Sequence, residues 1–452
     1  MSGPPPLPIE PKTVKRFGLK FFLKGFGYIF LALLLAVVVS AAWPDEELGD
    51  ESAVMPEWRG LGENNPLGEF QAWLEDHPFT GEDDRLRMLR KGQEWDAEAA
   101  DAILREETEV LARFKELLSH SEEEWEWREG EGLAVFGRQM PYLKPIQGAA
   151  SLLAIDSVRM AERGDPAGGL LAANHVINGS GRLSSARGSL IHLMASASIE
   201  KETLSAMRRI ARNHRFEKEP VRSVIEDLGN YPVPVEPLRF GFQAEYLMFK
   251  TLIQGLGTDD SKKWGNPLPG VERFAFFLQP NTTINLRRRF LEPELAAIGK
   301  GWNPLNLTFK REIEQIREVQ RHFPLSVIGP NPIGESAISV VPVGQSVTGS
   351  VFDTVALHRL TGVFLALRLF EIDQGKLPTK LDELVPAYLS QLPADPYSEE
   401  NALLWNPAEG ILYSVGRDGI DNGGAIRIKP REANSDVGIS WGGNDETLKE
   451  QE

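Results

Sequence analysis

The stretch "FEIDQGKLPTKLDELVPAYLSQLPADPY", residues Phe370–Tyr397, is where the chain passes from one structural pattern to another. Just before it, Ala356, Leu360, Val363, Leu367 and Phe370 share one stripe at helical spacing across Asp353–Asp373, which predicts a helix. Gly375 stands where a helix commonly ends on a residue of positive φ. Inside the stretch, prolines confine any further helix to a short turn over Leu381–Val385. Beyond it, Leu403–Asn406, Ile411–Val415, Ala425–Ile428 and Gly438–Trp441 read as short strands, with Pro407–Gly410 ("PAEG") as the turn of a hairpin. The expectation is one long helix packed on a small antiparallel sheet.

Working outward, the region before this module reads as mainly α-helical. In Asp96–Leu118 the residues Ile103, Val110, Leu111, Phe114 and Leu118 recur at helical spacing. Ala149–Arg163 follows as a second helix, stopped by Gly164-Asp165-Pro166. Further helices are expected over 167–177, 184–199, 201–213, 219–228, 239–254 and 308–321. No fixed period runs through them, so a non-repeating helical domain is expected rather than a solenoid. Val327–Ser350, dense in Gly, Pro, Ser and Val, suits a linker or a strand-bearing crossing. Glu46–Gly81, rich in Pro, Gly, Asp and Glu, suits an irregular spacer.

Composition narrows the function. Apolar residues make up 42% and charged residues 25% of the 452, ordinary for a chain that folds through most of its length. The net charge of -16 is spread along the chain and would repel phosphates, so no nucleic-acid partner is expected. The absence of cysteine excludes disulfides, thiolate nucleophiles, Fe–S clusters and Cys-based zinc sites. It leaves the redox compartment open.

Gly25–Trp43, "GFGYIFLALLLAVVVSAAW", is an uncharged, almost wholly apolar run close to the ~20 residues that span a bilayer. Lys12, Lys15, Arg16, Lys20 and Lys24 precede it, and Asp45, Glu46, Glu47 and Asp50 follow. The positive-inside rule then predicts a single-pass protein with residues 1–24 cytoplasmic and everything after Trp43 outside; the resemblance described below implies a bacterial inner membrane and a periplasmic bulk. A signal peptide cleaved near Ser40-Ala41-Ala42 is the competing reading. The resulting expectation is mainly α with a small C-terminal α+β module and one N-terminal transmembrane helix. It divides into a Pro-rich basic lead (1–24), a membrane helix touching the lipid bilayer (25–43) and an acidic spacer (44–82). An α-helical periplasmic domain (83–326), a linker (327–350), the α+β module (351–441) and an acidic tail (442–452) complete it.

The module resembles the C-terminal half of the major pseudopilin of type II secretion. That family shows a helix, G-x-(L/Y)-P, a short helical turn, L-P-x-D-P, a hairpin, and S-x-G-x-D-G before paired glycines. Here these are "GKLP" (Gly375–Pro378), "LPADP" (Leu392–Pro396), "SVGRDG" (Ser414–Gly419) and Gly423-Gly424; "SDVGISW" (Ser435–Trp441) matches its closing Asp-hydrophobic dipeptide before a Trp. The family carries its membrane helix directly on this domain, whereas a long helical region intervenes here. Its processing site, Gly before Phe with a Glu at the fifth mature position, is imitated by Gly25-Phe26, but Phe30 stands where the Glu belongs.

The resemblance implies a calcium site built from loop carboxylates and carbonyls. By position Asp418 matches the Asp of S-x-G-x-D-G and Asp436 the Asp of the closing dipeptide, while Asp421 and Asn422 lie where the family's loop varies. Asp418, Asp421 and Asp436 are the candidate ligands. Arg427, Lys429 and Arg431 lie between the paired glycines and Asp436, lowering affinity for a dication, and the spacing fails the EF-hand pattern. A plain turn is the alternative, since Asp, Asn and Gly tolerate positive φ.

Other motifs are weaker. His77, His120, His175, His192, His214, His322 and His358 show no H-E-x-x-H spacing. Ser184–Ser189 lacks a nucleophile elbow, and Gly179–Arg182 lacks the Lys-Ser/Thr of a P-loop. Ser121–Gly132 is acidic with two tryptophans, which if exposed would offer a partner surface. Arg287-Arg288-Arg289 could hold an anion or pair with neighbouring acids. The expected function is a membrane-anchored periplasmic binding or assembly protein, non-catalytic, partnering envelope or secretion-apparatus proteins. The alternative is an envelope hydrolase, which requires buried carboxylates within 80–325 to line a cleft with raised pKa values. The binding reading predicts an apolar groove without converging titratable groups.

Overall fold

The computed structural model describes residues 28, 31 and 38, and residues 43–442 except 62–63, 82, 93–94, 128–139, 141, 257–277, 322–330, 339–343 and 427–435. The helices in chain order are α1 (Pro66–Asp76), α2 (Asp84–Lys91), α3 (Ala97–Glu106), α4 (Thr108–Leu117), α5 (Leu143–Glu162), α6 (Pro166–Ser185) and α7 (Leu190–Asn213). They continue as α8 (Lys218–Gly229), α9 (Val235–Gly255), α10 (Pro280–Ala297), α11 (Trp302–Arg321), α12 (Pro332–Ile338) and α13 (Gly344–Gln374). Among the described residues five short strands follow: β1 (Ala394–Asp395), β2 (Ser398–Ala402), β3 (Leu404–Asn406), β4 (Ile411–Ser414) and β5 (Val437–Ser440). β1 and β2 form a hairpin; β3-β4-β5 is an antiparallel sheet in which Trp405 faces Leu412 and Leu412 faces Ile439.

The mainly α class with a small C-terminal sheet is what forms, but the transmembrane helix expected with it is corrected. Among the described residues no helix is long and apolar enough to cross a membrane, so the structure supports neither a membrane nor a single-pass assignment. Of residues 25–43 only Tyr28, Leu31, Val38 and Trp43 are described; the rest, like the lead 1–24 and the tail beyond Gly442, lie outside the described residues. The longest helix, α13, carries Asp353, Arg359, Arg368, Glu371 and Asp373, charges that lipid would not tolerate, and it is enclosed by protein.

Local chemistry sets several helix ends. Asp165 caps α6 by accepting from Gly168 N at 2.8 Å, with Pro166 at the first helical position, so Gly164-Asp165-Pro166 both ends α5 and starts α6. The helix expected over 96–118 is two, because Glu107 leaves helical geometry between α3 and α4. The segments expected at 184–199 and 201–213 fall otherwise: α6 runs on to Ser185, and α7 is continuous from Leu190. α7 begins there because Ser189 and His192 form a reciprocal cap.

Two expected irregular stretches are more ordered than their composition suggests. In the acidic spacer, α1 is helical, and Asp45 accepts from Asn281 N and Thr282 N, both at 2.9 Å, capping α10. Glu51 holds Tyr246 Oη at 2.6 Å and pairs with Lys250, and the Glu126 carboxylate accepts from Gly60 N at 3.0 Å and Leu61 N at 3.2 Å. The Gly-, Pro- and Val-rich stretch before Ser350 contains α12 and the first turns of α13. Its apolar content reflects a helix apolar on nearly every face, as a fully enclosed helix must be.

α13 packs against α7, α8, α11 and strands β4 and β5. One hydrophobic core therefore joins Leu204 and Met207 of α7, Val224 and Leu228 of α8, Phe364 and Leu367 of α13, and Leu412 and Ile439 of the sheet. α13 meets the backbone of α8 at Gly362, where an added Cβ would sit 2.9 Å from Gly229 N and 3.1 Å from Ile225 O. Those are backbone atoms and cannot rotate aside. Alanine is the better helix former by about 1 kcal/mol, yet Gly362→Ala is expected to lower stability, since overpacking costs roughly 1–3 kcal/mol. A urea melt checks the sign: unchanged or increased stability would mean that α13 can lift from α8 freely.

Candidate functional site

Consecutive residues of α13 reach different surroundings. His358 is fully buried; its Nε2 lies 2.9 Å from Glu200 Oε2 on α7, and its ring stacks on Tyr231 at 3.7 Å between centroids. Tyr231 Oη donates to Glu200 Oε1 at 3.3 Å, and burial together with the Glu200 charge holds that phenol well above its usual range. His358 Nδ1 is buried without a hydrogen-bond partner. Arg359, next along the helix, is half-buried and lines a cleft of about 270 Å³ between the helical region and the sheet-bearing end of the chain.

That cleft is the candidate functional site. Val235 and Leu238 of α9, Leu305 of α11 and Phe352 of α13 form apolar walls, and Arg359 and Asp395 supply charge. Arg359 Nε and Nη2 both donate to Tyr231 O, at 3.1 and 2.9 Å, and Nη1 donates to Ala394 O at 2.8 Å. Carbonyl oxygens orient the guanidinium without neutralising it; burial lowers its pKa and the Asp395 charge opposes that fall. Asp395, the Asp of "LPADP", accepts from Ser414 Oγ at 2.7 Å, Tyr397 N at 2.9 Å and Val415 N at 2.9 Å. Burial raises its pKa despite those three donors. This carboxylate ties two motifs together and is occupied in doing so.

The loop after β4 is docked by its arginine. Arg417 Nη2 donates to Asp353 Oδ2 on α13 at 2.7 Å, and Trp302 Nε1 at the start of α11 donates to Arg417 O at 2.9 Å. Tyr397 Oη lies 2.5 Å from Asp353 Oδ1 and completes the anchor. The candidate calcium ligands mostly serve the loop's own backbone. Asp436 is fully buried and accepts from Asn422 N at 3.3 Å and Gly424 N at 2.8 Å. Asp418 accepts from Ile420 N at 3.1 Å; Asp421 accepts from Gly423 N at 2.8 Å and Tyr413 Oη at 3.1 Å. Burial raises the pKa of Asp436, and the charges of Asp421 and Asp418 raise it further. Among the described residues no three His, Cys, Asp or Glu side chains are grouped to hold one metal ion. The cations Arg427, Lys429 and Arg431 lie outside the described residues.

Other candidates resolve into packing. Trp125 and Trp127 are buried, so the described part of the acidic stretch offers no exposed aromatic surface. Arg287 reaches Glu312 at 3.2 Å and Glu294 at 3.6 Å in the interior, Arg288 pairs with Glu292, and Arg289 with Glu46. Burial holds the Glu294 carboxyl far above its usual range, against the Arg287 charge, and burial likewise raises Glu245. Neither borders the cleft. Arg182 Nη1 donates to Leu118 O and His120 O, closing the end of α4. His175 is exposed on α6, while His192 lies buried with Ser189 Oγ 3.0 Å from Nδ1 and Tyr142 Oη 3.2 Å from Nε2. Nothing in the sequence singles out Arg359 or the His358–Glu200 pair; "LPADP" is the one signal among these, and it points at Asp395.

Comparison with known proteins finds no matching family model, no matching curated protein and no matching solved structure.

Burial pushes the pKa of His192 down to about 3 from 6.5. A histidine kept neutral in the fold adds stability fully present above its unfolded pKa and lost as pH falls towards the folded value. Stability should therefore drop from pH 6.5 downwards, by about 2 kcal/mol at pH 5 for this group alone. His192→Asn, which keeps an acceptor for Ser189 N, should flatten that slope in denaturant melts at pH 7 and pH 5. An undiminished slope would place the acid sensitivity elsewhere.

Proposed function

We propose that this chain is a non-catalytic binding or assembly protein whose pseudopilin-like C-terminal module is built into its helical body. The observation that carries this reading is the state of the cleft's carboxylate. Asp395, the one carboxylate among the described residues that line the cleft, has both oxygens engaged by donors from the module's own backbone and Ser414. The buried carboxylates that a hydrolase would recruit, Glu294 and Glu312, instead face Arg287 in the interior. The pseudopilin likeness of residues 351–441 is supported by motifs in the family's order, and by Asp395 and Asp436 each fastening the loop that follows β4. A packing difference bears on assembly: α13 is covered on several sides by this chain's own helices, so it cannot bundle with copies of itself as a pseudopilin helix does. The partner class that suits this reading is an envelope or secretion-apparatus protein met at the module's surface.

Ile420 stands 60% exposed at the loop tip and makes a suitable reporter. A photo-crosslinking residue placed there, in cells expressing the full chain, is expected to give one discrete adduct, absent when the same residue replaces exposed Met88 on α2. A hydrolytic activity of the purified chain that disappears in Glu294→Gln, with melting unchanged, would overturn the reading in favour of an enzyme.

Calcium enters through the resemblance. Asp418, Asp421 and Asp436 would hold it, its charge offsetting their mutual repulsion; as placed, each must first give up a backbone N–H. If the ion binds, millimolar Ca²⁺ raises the melting temperature over EDTA by mass action, and Asp418→Ala abolishes the rise. Coincident curves remove calcium from the protein.

A further inference from the structure

We infer that the cleft at Arg359 is a binding site for a small apolar carboxylate, a group about the size of one amino-acid residue that ends in –COO⁻. The guanidinium supplies the recognition. Its Nε–Nη2 edge is spent on Tyr231 O and one Nη1 N–H on Ala394 O, which leaves two of its five N–H groups at the Nη end. Two N–H groups on a rigid planar fork match the two oxygens of a carboxylate. Among the described residues Arg359 forms no ion pair; Asp395 shares the cleft and acts on the guanidinium through space, while its own oxygens are engaged by Ser414, Tyr397 and Val415. The fork is also pre-aimed, because the Tyr231 and Ala394 carbonyls fix its plane before any ligand arrives. Pre-ordering of this kind lowers the entropic cost of binding.

Size and lining define the rest of the ligand. At about 270 Å³ the cleft falls just below the ~300–1,000 Å³ usual for drug-sized ligands, so it takes one residue rather than a cofactor. Val235, Leu238, Leu305 and Phe352 form its walls, which favours a branched aliphatic body over a polar one. Gly301, which also lines the cleft, immediately precedes α11, whose N-terminal end adds favourable potential for an anion there. The cleft would take such a group whether or not the module docks a macromolecular partner.

The test is titration of the full chain with N-acetyl-L-leucine, followed by saturation-transfer NMR. Its C-terminal amide is expected to bind at least tenfold more weakly. Arg359→Gln should remove that preference, but it also loosens Tyr231 and Ala394. Val235→Trp is therefore the cleaner variant: half-buried at the start of α9, it fills the cleft and should abolish binding with the melting temperature unchanged. An N-acetylated tripeptide ending in Leu distinguishes the source. Binding tenfold tighter than the single residue identifies a chain terminus; equal binding identifies a free acid. Acid and amide binding equally, binding that survives Val235→Trp, or no saturation transfer at all would each overturn the inference.

Discussion

A helix of 31 residues with aliphatic side chains on nearly every face can exist in water only if something encloses it, and α13 is such a helix. Val351, Val355, Leu360, Val363, Phe364, Leu365 and Leu367 are all buried, though they point around the whole circumference. At ~1.5–3 kcal/mol for each fully buried large side chain, exposing a face of two or three of them would cost roughly 3–9 kcal/mol, the scale of a typical domain's net stability. The surrounding elements follow from that requirement. α7 and α8 cover one side, with Gly362 meeting the backbone of α8; the sheet covers another, with Leu412 and Ile439 inward.

Enclosure also drives the polar groups on α13 to find partners, and most do, Thr348 Oγ1 and His358 Nδ1 excepted. Asp353 meets Arg417 and Tyr397, Thr361 Oγ1 accepts from Arg208 at 2.8 Å, and His358 meets Glu200. Such pairs add little net stability, because the desolvation of each charge offsets most of the attraction. What they do is fix register: sliding α13 by one turn would bury several unpaired charges at once. The same logic explains Arg359. Positioned at the edge of the enclosure, it is the member of this set whose partners are carbonyls alone, and the cleft exists because it and Phe352 line a gap that α9 and α11 leave open.

Much of the architecture was legible because it rests on local rules. Apolar periodicity found most helices, Gly164-Asp165-Pro166 marked a real boundary, and Pro407–Gly410 is the turn between β3 and β4. Misreadings came where tertiary contact overrides composition. Val327–Ser350 reads as a linker or a strand-bearing crossing because a helix buried on all faces, as α13 is from Gly344, shows no amphipathic period. The acidic spacer reads as irregular because nothing in its own sequence announces that Asp45 caps a helix starting at Pro280. An apolar run near the N-terminus satisfies a length rule, yet among the described residues no helix meets the demands of a membrane span.

The sequence by itself determined the class of fold, the place where helices yield to strands, and the exclusion of all cysteine chemistry, since each depends on residue type and spacing along the chain. It also marked Asp395 and Asp436 through short motifs. Only the tertiary structure decided what those aspartates do, since most of their donors come from residues 12 or more away in sequence, and a carboxylate engaged by backbone N–H and hydroxyl donors serves as a fastener. It likewise decided that Arg359 faces a cleft while His358 beside it faces the core. Neighbours on a helix diverge by about 100°, and which of them meets solvent depends on what packs on each side.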